Sequence, residues 1–329
     1  TLLIIIKRNK ITFSKVLNLL KNAFGIITKK GGMNTLPSFI MLDPTKLCNL
    51  ACADCVDKNT EVAVESNLFA KQTFFKIIDE VHKHTMIMAL YVSGEPFLNK
   101  NIFEMIRYGH AKKMYTYLSS NFSLKFDDQF ASKIINSGLD TMFISVSGFT
   151  NDIYQRMHIG GDVEIIKNNI RALQAKKKAL KSKYPKVAIR YLVAKYNTDQ
   201  IEMFSKFAQD NDIDFFETSF MGMKNKDDHL DDYNHPDSLQ PRATINTSCF
   251  WPWLMLSFHS DGQAQTCCYY YLNPPILGNV SEQTVDEIWN SKTQIQFREQ
   301  MAQGGKKSLK SCENCVANFG YQRTMANTN

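Results

Sequence analysis

Residues 38–55 read SFIMLDPTKLCNLACADC. The apolar run Phe39–Leu42 has the length of a strand, Asp43-Pro44 halts it, and three cysteines follow at Cys-x3-Cys-x2-Cys spacing. A buried strand that feeds straight into a loop of reactive side chains is the arrangement of parallel α/β folds, whose sites gather at the C-terminal ends of the strands.

The alternation continues outward from this stretch. Strand candidates are 39–42, 86–92, 115–119, 141–146, 187–193 and 215–220, and helix candidates lie near 68–84, 101–113, 128–137, 162–180 and 198–210. These six βα steps are too few to close an eight-unit barrel, so the expected fold class is α/β, a partial (β/α)6 barrel. The other motifs then fall just after strands, with Ser93-Gly94-Glu95-Pro96 after 86–92 and Asn121 after 115–119. The expected division is an N-terminal amphipathic helical segment over 1–37, the barrel over 38–223, an acidic linker over 224–245 and a C-terminal module over 246–329. His229 and His235 stand among aspartates in the linker without a regular ligand spacing, which favours a solvated linker over a metal site.

With 329 residues, 44% of them hydrophobic, the chain can bury a full core. Of its net charge of +7, the run Lys176, Lys177, Lys178, Lys181, Lys183 and Lys186 reads as a solvated helix end, because no aromatics interleave the lysines; no nucleic-acid partner is expected. Leu2–Ile6 is an apolar run that stops at Lys7-Arg8, too short for a membrane span and without a small-residue cleavage site, so a cytoplasmic location is expected. Residues 11–27 carry apolar positions at helical spacing and are expected to pack on the main domain. Membrane contact is the weaker alternative there, although Lys7, Arg8, Lys10, Lys15 and Lys21 accompany the helix.

Eight cysteines cluster toward the two ends of the chain, with none between residues 56 and 248, a distribution that suits metal ligands better than a disulfide framework. Cys48, Cys52 and Cys55 can ligate three irons of a cubane [4Fe-4S] cluster and leave the fourth iron open. A zinc site is the alternative, but it would want a fourth Cys or His nearby, and none lies between Val56 and His82.

These cysteines, together with Ser93-Gly94-Glu95-Pro96, resemble the radical S-adenosylmethionine (SAM) superfamily. The resemblance implies that SAM chelates the open iron through its amino and carboxylate groups and is cleaved reductively to a 5′-deoxyadenosyl radical, which abstracts a hydrogen atom from a substrate carbon. It also implies an electron donor such as flavodoxin or ferredoxin. Gly94, Glu95 and Pro96 match the family's Gly-Gly-Glu-Pro motif facing the SAM amino group, with Ser93 in place of the first glycine. Phe143–Gly148 is similar to the strand ending in Ser-x-Asp-Gly, which nominates Ser145 as a SAM contact and puts Ser147 where Asp is frequent. Tyr154-Gln155-Arg156 resembles a segment whose arginine faces the SAM carboxylate; Arg156 reads equally well as a surface residue at a helix start. Asn121 is a further cofactor-site candidate, while Asp54 replaces the aromatic that often precedes the third cysteine and leaves the adenine contact unassigned.

Toward the C-terminus, Cys249, Cys267-Cys268 and Cys312-Glu-Asn-Cys315 lie among Trp251-Pro-Trp253, Asp261-Gly262 and Leu277-Gly278-Asn279. This setting resembles the SPASM and Twitch auxiliary-cluster domains, and implies a C-terminal auxiliary iron–sulfur domain appended to the partial barrel. The Asp-Gly turn between 254–259 and 263–268 signals a hairpin, and Val285–Met301 reads as one helix. The cysteine supply suffices for one auxiliary [4Fe-4S] cluster. The resemblance puts a ligand at Cys267 after the Asp-Gly turn, beside Cys249, Cys312 and Cys315, and leaves Cys268 over. In some radical SAM epimerases a cysteine beside the auxiliary cluster returns a hydrogen atom to the substrate radical, so Cys268 is a candidate catalytic residue. Three outcomes stay open: epimerisation of a small molecule or carbohydrate, dehydrogenation with the auxiliary cluster accepting an electron, and modification of a ribosomal peptide. A non-catalytic electron carrier would have no need of the βα scaffold.

Overall fold

A computed structural model describes residues 1–53, 55, 68–127, 129–220, 249–267, 274–312, 315 and 322–324. In chain order its elements are α1 (Leu2–Lys7), α2 (Phe13–Ile27), β1 (Phe39–Leu42), α3 (Lys71–Val81), β2 (Ile87–Leu90), α4 (Ile102–Ala111), β3 (Tyr115–Ser120), α5 (Phe130–Asn136), β4 (Thr141–Val146), α6 (Asn151–Met157), α7 (Val163–Ala179) and β5 (Lys186–Val193). There follow α8 (Ile201–Asp210), β6 (Phe215–Phe220), α9 (Trp251–Leu254), β7 (Met255–Phe258), β8 (Gln263–Gln265), β9 (Ile276–Asn279), α10 (Val285–Trp289), α11 (Lys292–Gly304) and β10 (Gln322–Thr324). The fold is mixed α/β built on parallel strands, and all six strands read from the sequence are present.

Two compact units form, the first from 1–47, 61–117 and 243–318, the second from 48–60, 118–242 and 319–329. In the first unit β1 pairs in parallel with β2 on one side and with β7 on the other, and β8 and β9 continue from β7 as an antiparallel hairpin and third strand. All four residues of β1 are buried, as a strand covered on both faces requires. In the second unit β4, β5 and β6 are parallel, and β10 adds to β6 in the antiparallel sense. The strand order within each unit is linear, with no closure.

Three features correct or extend the expectations. Residues 285–301 form two helices, because Thr284 and Glu287 make a capping box for α10 and Ser291 caps α11 afresh through the Gln294 N–H. The break lets Arg298 turn inward, where it donates to the carbonyls of Pro252, Gly31 and Trp289 and lies over the Trp289 ring. Helix α6, which the apolar pattern alone does not announce, fills the segment after β4.

The third correction concerns α2, which packs by its polar side. Lys15, Asn18 and Asn22 are buried, while Phe13, Leu17, Leu20, Phe24 and Ile27 are exposed. The Asn18 and Asn22 amides both donate to the Leu36 carbonyl, and Lys15 donates to the Lys113 carbonyl at 2.5 Å. Those carbonyls need donors once buried, and no apolar side chain could supply one.

Candidate active site

At the C-terminal end of β1, Asp43 is fully buried, and Ser93 donates to its carboxylate through both the backbone N–H (3.2 Å) and Oγ (2.5 Å). A glycine at 93 could make only the first of these bonds. Gly94 is required by space: a Cβ there would lie 2.1 Å from the Thr45 carbonyl oxygen and 2.7 Å from that of Leu47. The Glu95 N–H donates to the Leu47 carbonyl at 2.7 Å, which ties this turn to the residue before Cys48. The Glu95 side chain is buried, and its carboxylate accepts the Phe97 N–H (3.2 Å), capping a 3-10 turn that Pro96 opens.

In the second unit the cysteine loop is seated on the segment after α6. Ala51 N–H donates to the Ile159 carbonyl (2.9 Å), Ala53 N–H to the Met157 carbonyl (2.8 Å), and Cys55 N–H back to the Cys52 carbonyl (3.1 Å). Cys52 and Ala53 pack against Met157, Ala194, Leu192 and Tyr196. Cys48 is exposed and its Sγ accepts from the Leu50 N–H (3.4 Å) and the Asn121 amide (3.7 Å), donors that favour a thiolate. Asn121 also donates to Asn49 Oδ1 and accepts the Ser123 N–H, so its orientation is fixed from both ends.

Sequence reasoning missed what supports this loop. His158 is buried, stacked on Tyr154 at 4.7 Å and hydrogen-bonded to Ser147 Oγ at 2.6 Å, and burial pushes its pKa down to about 4, so it is neutral. Asn197 donates to the Ser147 and Leu192 carbonyls and accepts the Ala194 N–H. The Gly160-Gly161 pair was the available signal: Gly160 has φ +84°, and a Cβ on Gly161 would crowd Tyr154 and Leu50. Ser147, where Asp is frequent in the family, thus serves the buried histidine. Ser145 lies 3.5 Å from Ser119, Oγ to Oγ, and the Arg156 guanidinium sits over the Tyr196 ring at 4.2 Å.

The C-terminal cysteines converge in the first unit. Cys249 is buried with Trp253, Phe297, Met301 and Leu309, and Cys312 packs against the same cluster. Cys267, just past β8, packs beside Trp251, Met41 and Ala89. The turn before β8 uses Gly262 at φ +85°, and Asp261 accepts the Gln263 N–H. The Cys249 thiol is pushed up to about 12 and that of Cys312 up to about 11, chiefly by burial, with the neighbouring cysteines contributing to each rise. Cys249 feels Cys267 and Cys315, and Cys312 feels Cys315 and Cys267, so the four form one electrostatic group. Among the described residues no three His, Cys, Asp or Glu side chains meet closely enough for a single metal ion. A cubane gives each thiolate a separate iron and so uses a wider set than a zinc cage does. Cys268, Asp54, His229 and His235 lie outside the described residues.

Residues 42–208, half of the chain, match the radical SAM superfamily, and residues 249–316 match the SPASM iron–sulfur cluster-binding domain. The chain belongs to the radical SAM superfamily, whose members are enzymes, and the two matched domains imply a SAM-binding [4Fe-4S] cluster and an auxiliary iron–sulfur site. It is 28% identical over 120 residues to Fe-coproporphyrin III synthase of Methanosarcina barkeri and 22% identical over 192 residues to GTP 3′,8-cyclase of Lactiplantibacillus plantarum. These matches cover 36% and 58% of this chain, and only 30% and 56% of the relatives' lengths. In fold it is similar to Streptococcus suis SuiB bound to S-adenosylmethionine (TM-score 0.62, 15% identity, 81% of this chain and 68% of that one). It is also similar to anSMEcpe with bound AdoMet (0.58, 16%, 79% and 82%) and to BtrN in complex with AdoMet and 2-DOIA (0.52, 14%, 86% and 94%).

Proposed function

We propose that Cys48, Cys52 and Cys55 hold the SAM-chelating [4Fe-4S] cluster, that Cys249, Cys267, Cys312 and Cys315 hold one auxiliary [4Fe-4S] cluster, and that the enzyme inverts a carbon centre of a small molecule or carbohydrate. The observation that carries this reading is that Cys249 and Cys312 pack on one apolar cluster, which Trp251 shares with the cluster holding Cys267, with Cys315 three residues beyond Cys312; four ligands from this set would leave Cys268 over. The matched spans fall inside the division into a barrel over 38–223, a linker over 224–245 and an auxiliary domain over 246–329.

When bound, the SAM-loaded cluster supplies the radical that removes a hydrogen atom from the substrate carbon. Around it Asn121 stabilises the Cys48 thiolate, and Gly94, Glu95 and Pro96 form the turn that faces the SAM ammonium group. Ser145 and Arg156 are the further SAM contacts, Arg156 toward the carboxylate. Cys268 then donates its thiol hydrogen to the opposite face of the substrate radical. The thiyl left on Cys268 is reset by one electron, from a flavodoxin- or ferredoxin-type donor, and one proton. The BtrN complex with 2-DOIA supports a small-molecule substrate. A second reading, peptide modification, is favoured by the SuiB structure with precursor peptide SuiA and the anSMEcpe structure with Cp18Cys peptide.

The test is turnover in D2O with candidate substrates of both kinds. Wild type should place one deuterium at the inverted carbon, and Cys268→Ala should still form 5′-deoxyadenosine while losing inverted product. A product two hydrogens lighter than substrate would move the assignment to dehydrogenation, in which a proton goes to a base and an electron to the auxiliary cluster.

A further inference from the structure

Residues 1–42 contain seven Lys or Arg residues and no Asp or Glu, so the rest of the chain balances at 32 cations against 32 acids. The whole excess charge of the protein therefore sits on α1, α2 and the segment leading to β1. On the same stretch a row of large apolar residues faces outward: Phe13 is 83% exposed, Leu20 61%, Phe24 59% and Ile27 78%, and on α1 Leu2, Leu3 and Ile6 are exposed while Ile4 and Ile5 are buried. This orientation is pinned from beneath by side chains that can hydrogen-bond. Besides the α2 anchors given above, Lys10 donates to the Met114 carbonyl at 2.9 Å and Ser14 to the Lys83 carbonyl at 2.7 Å. Rotating α2 to bury its apolar side would strip those carbonyls of their donors.

We propose that α1 and α2 form a membrane-docking face that lies on an anionic lipid bilayer. An amphipathic helix with aromatic and leucine side chains on one side and lysines at its borders binds the headgroup region through apolar insertion and attraction to anionic lipids together. Lys7, Lys21, Lys29 and Lys30 are exposed around this face, and Leu20, Phe24 and Met33 floor a shallow hollow edged by Lys21 and Lys30. An acidic headgroup fits that edge, and an acyl chain fits that floor. The docking is peripheral, since no described helix is long and apolar enough to cross a membrane. An apolar face this large that met only water would be an association hazard, and its unbroken positive border disfavours a second copy of itself.

Flotation of the cluster-loaded protein with vesicles decides the matter. Binding is expected to vesicles containing phosphatidylglycerol, to be weak with pure phosphatidylcholine, and to fall as salt rises. Lys→Gln at 21, 29 or 30 should weaken binding roughly fivefold each, and Phe13→Glu with Phe24→Glu should abolish it, with SAM cleavage in solution unchanged. These two phenylalanines are exposed, so the double variant should fold as wild type; unchanged circular dichroism checks that. Failure to float with anionic vesicles overturns the proposal, as does equal flotation of the Phe13→Glu/Phe24→Glu protein. A dimer in light scattering that the same double variant dissociates would overturn it in favour of a second copy as the occupant.

Discussion

The two cysteine sets differ in how they are built. Cys48, Cys52 and Cys55 come from one short loop, exposed to half-buried, whose geometry is held by backbone bonds to residues 157–159. Cys249, Cys267 and the pair Cys312 and Cys315 come from three separate segments, and burial raises the thiol pKa of Cys249 to about 12 and of Cys312 to about 11. A loop with three thiolates suits a cluster that must keep one iron open for SAM. A set of four, one buried and three half-buried, suits a cluster closed to exchange.

Replacing Cys48, Cys52 and Cys55 together by Ala gives the largest effect. SAM cleavage should vanish while about four of about eight irons per chain remain, as iron analysis and 5′-deoxyadenosine assay will show. Loss of all iron would mean that the two sets are not independent.

A smaller effect tests the seat of the first loop. His158 is neutral in the fold with a pKa near 4, against about 6.5 when unfolded, so the unfolded state takes up the proton first as pH falls. Stability is full above about pH 6.5 and should decline by about 3 kcal/mol between there and pH 4. Denaturant melts of wild type and His158→Gln across that range should differ in slope; parallel profiles would assign the acid loss elsewhere.

Gly94→Ala forces a Cβ against two backbone carbonyls and should cost about 1–3 kcal/mol of stability, with weaker SAM binding. A denaturant melt reads the first loss and calorimetric titration with SAM the second, and the auxiliary cluster should be untouched. Smallest is Asn121→Ala, which removes a donor to the Cys48 sulfur and should lower SAM cleavage roughly tenfold. An equal loss at the auxiliary iron would erase the distinction between the two sites.

Local pattern made much of this legible. The apolar run Phe39–Leu42 is β1, residue for residue, because a strand buried on both faces leaves a plain apolar signature, and 141–146 and 215–220 are likewise β4 and β6. The Cys-x3-Cys-x2-Cys loop and Ser93–Pro96 were readable because their members are neighbours in the chain. His158 and Asn197 were not, since their roles arise from partners tens of residues away that the chain only later brings together.

The sequence by itself therefore determined the parallel α/β class, the cysteine-rich loop after the first strand and the hairpin at Asp261-Gly262. Only tertiary structure decided that Arg298 satisfies three buried carbonyls, and that α2 turns its apolar side outward. Periodicity specifies that a helix has two faces. Which face is buried depends on what the covering surface presents, and under α2 that surface presents carbonyl groups that only Lys15, Asn18 and Asn22 can answer.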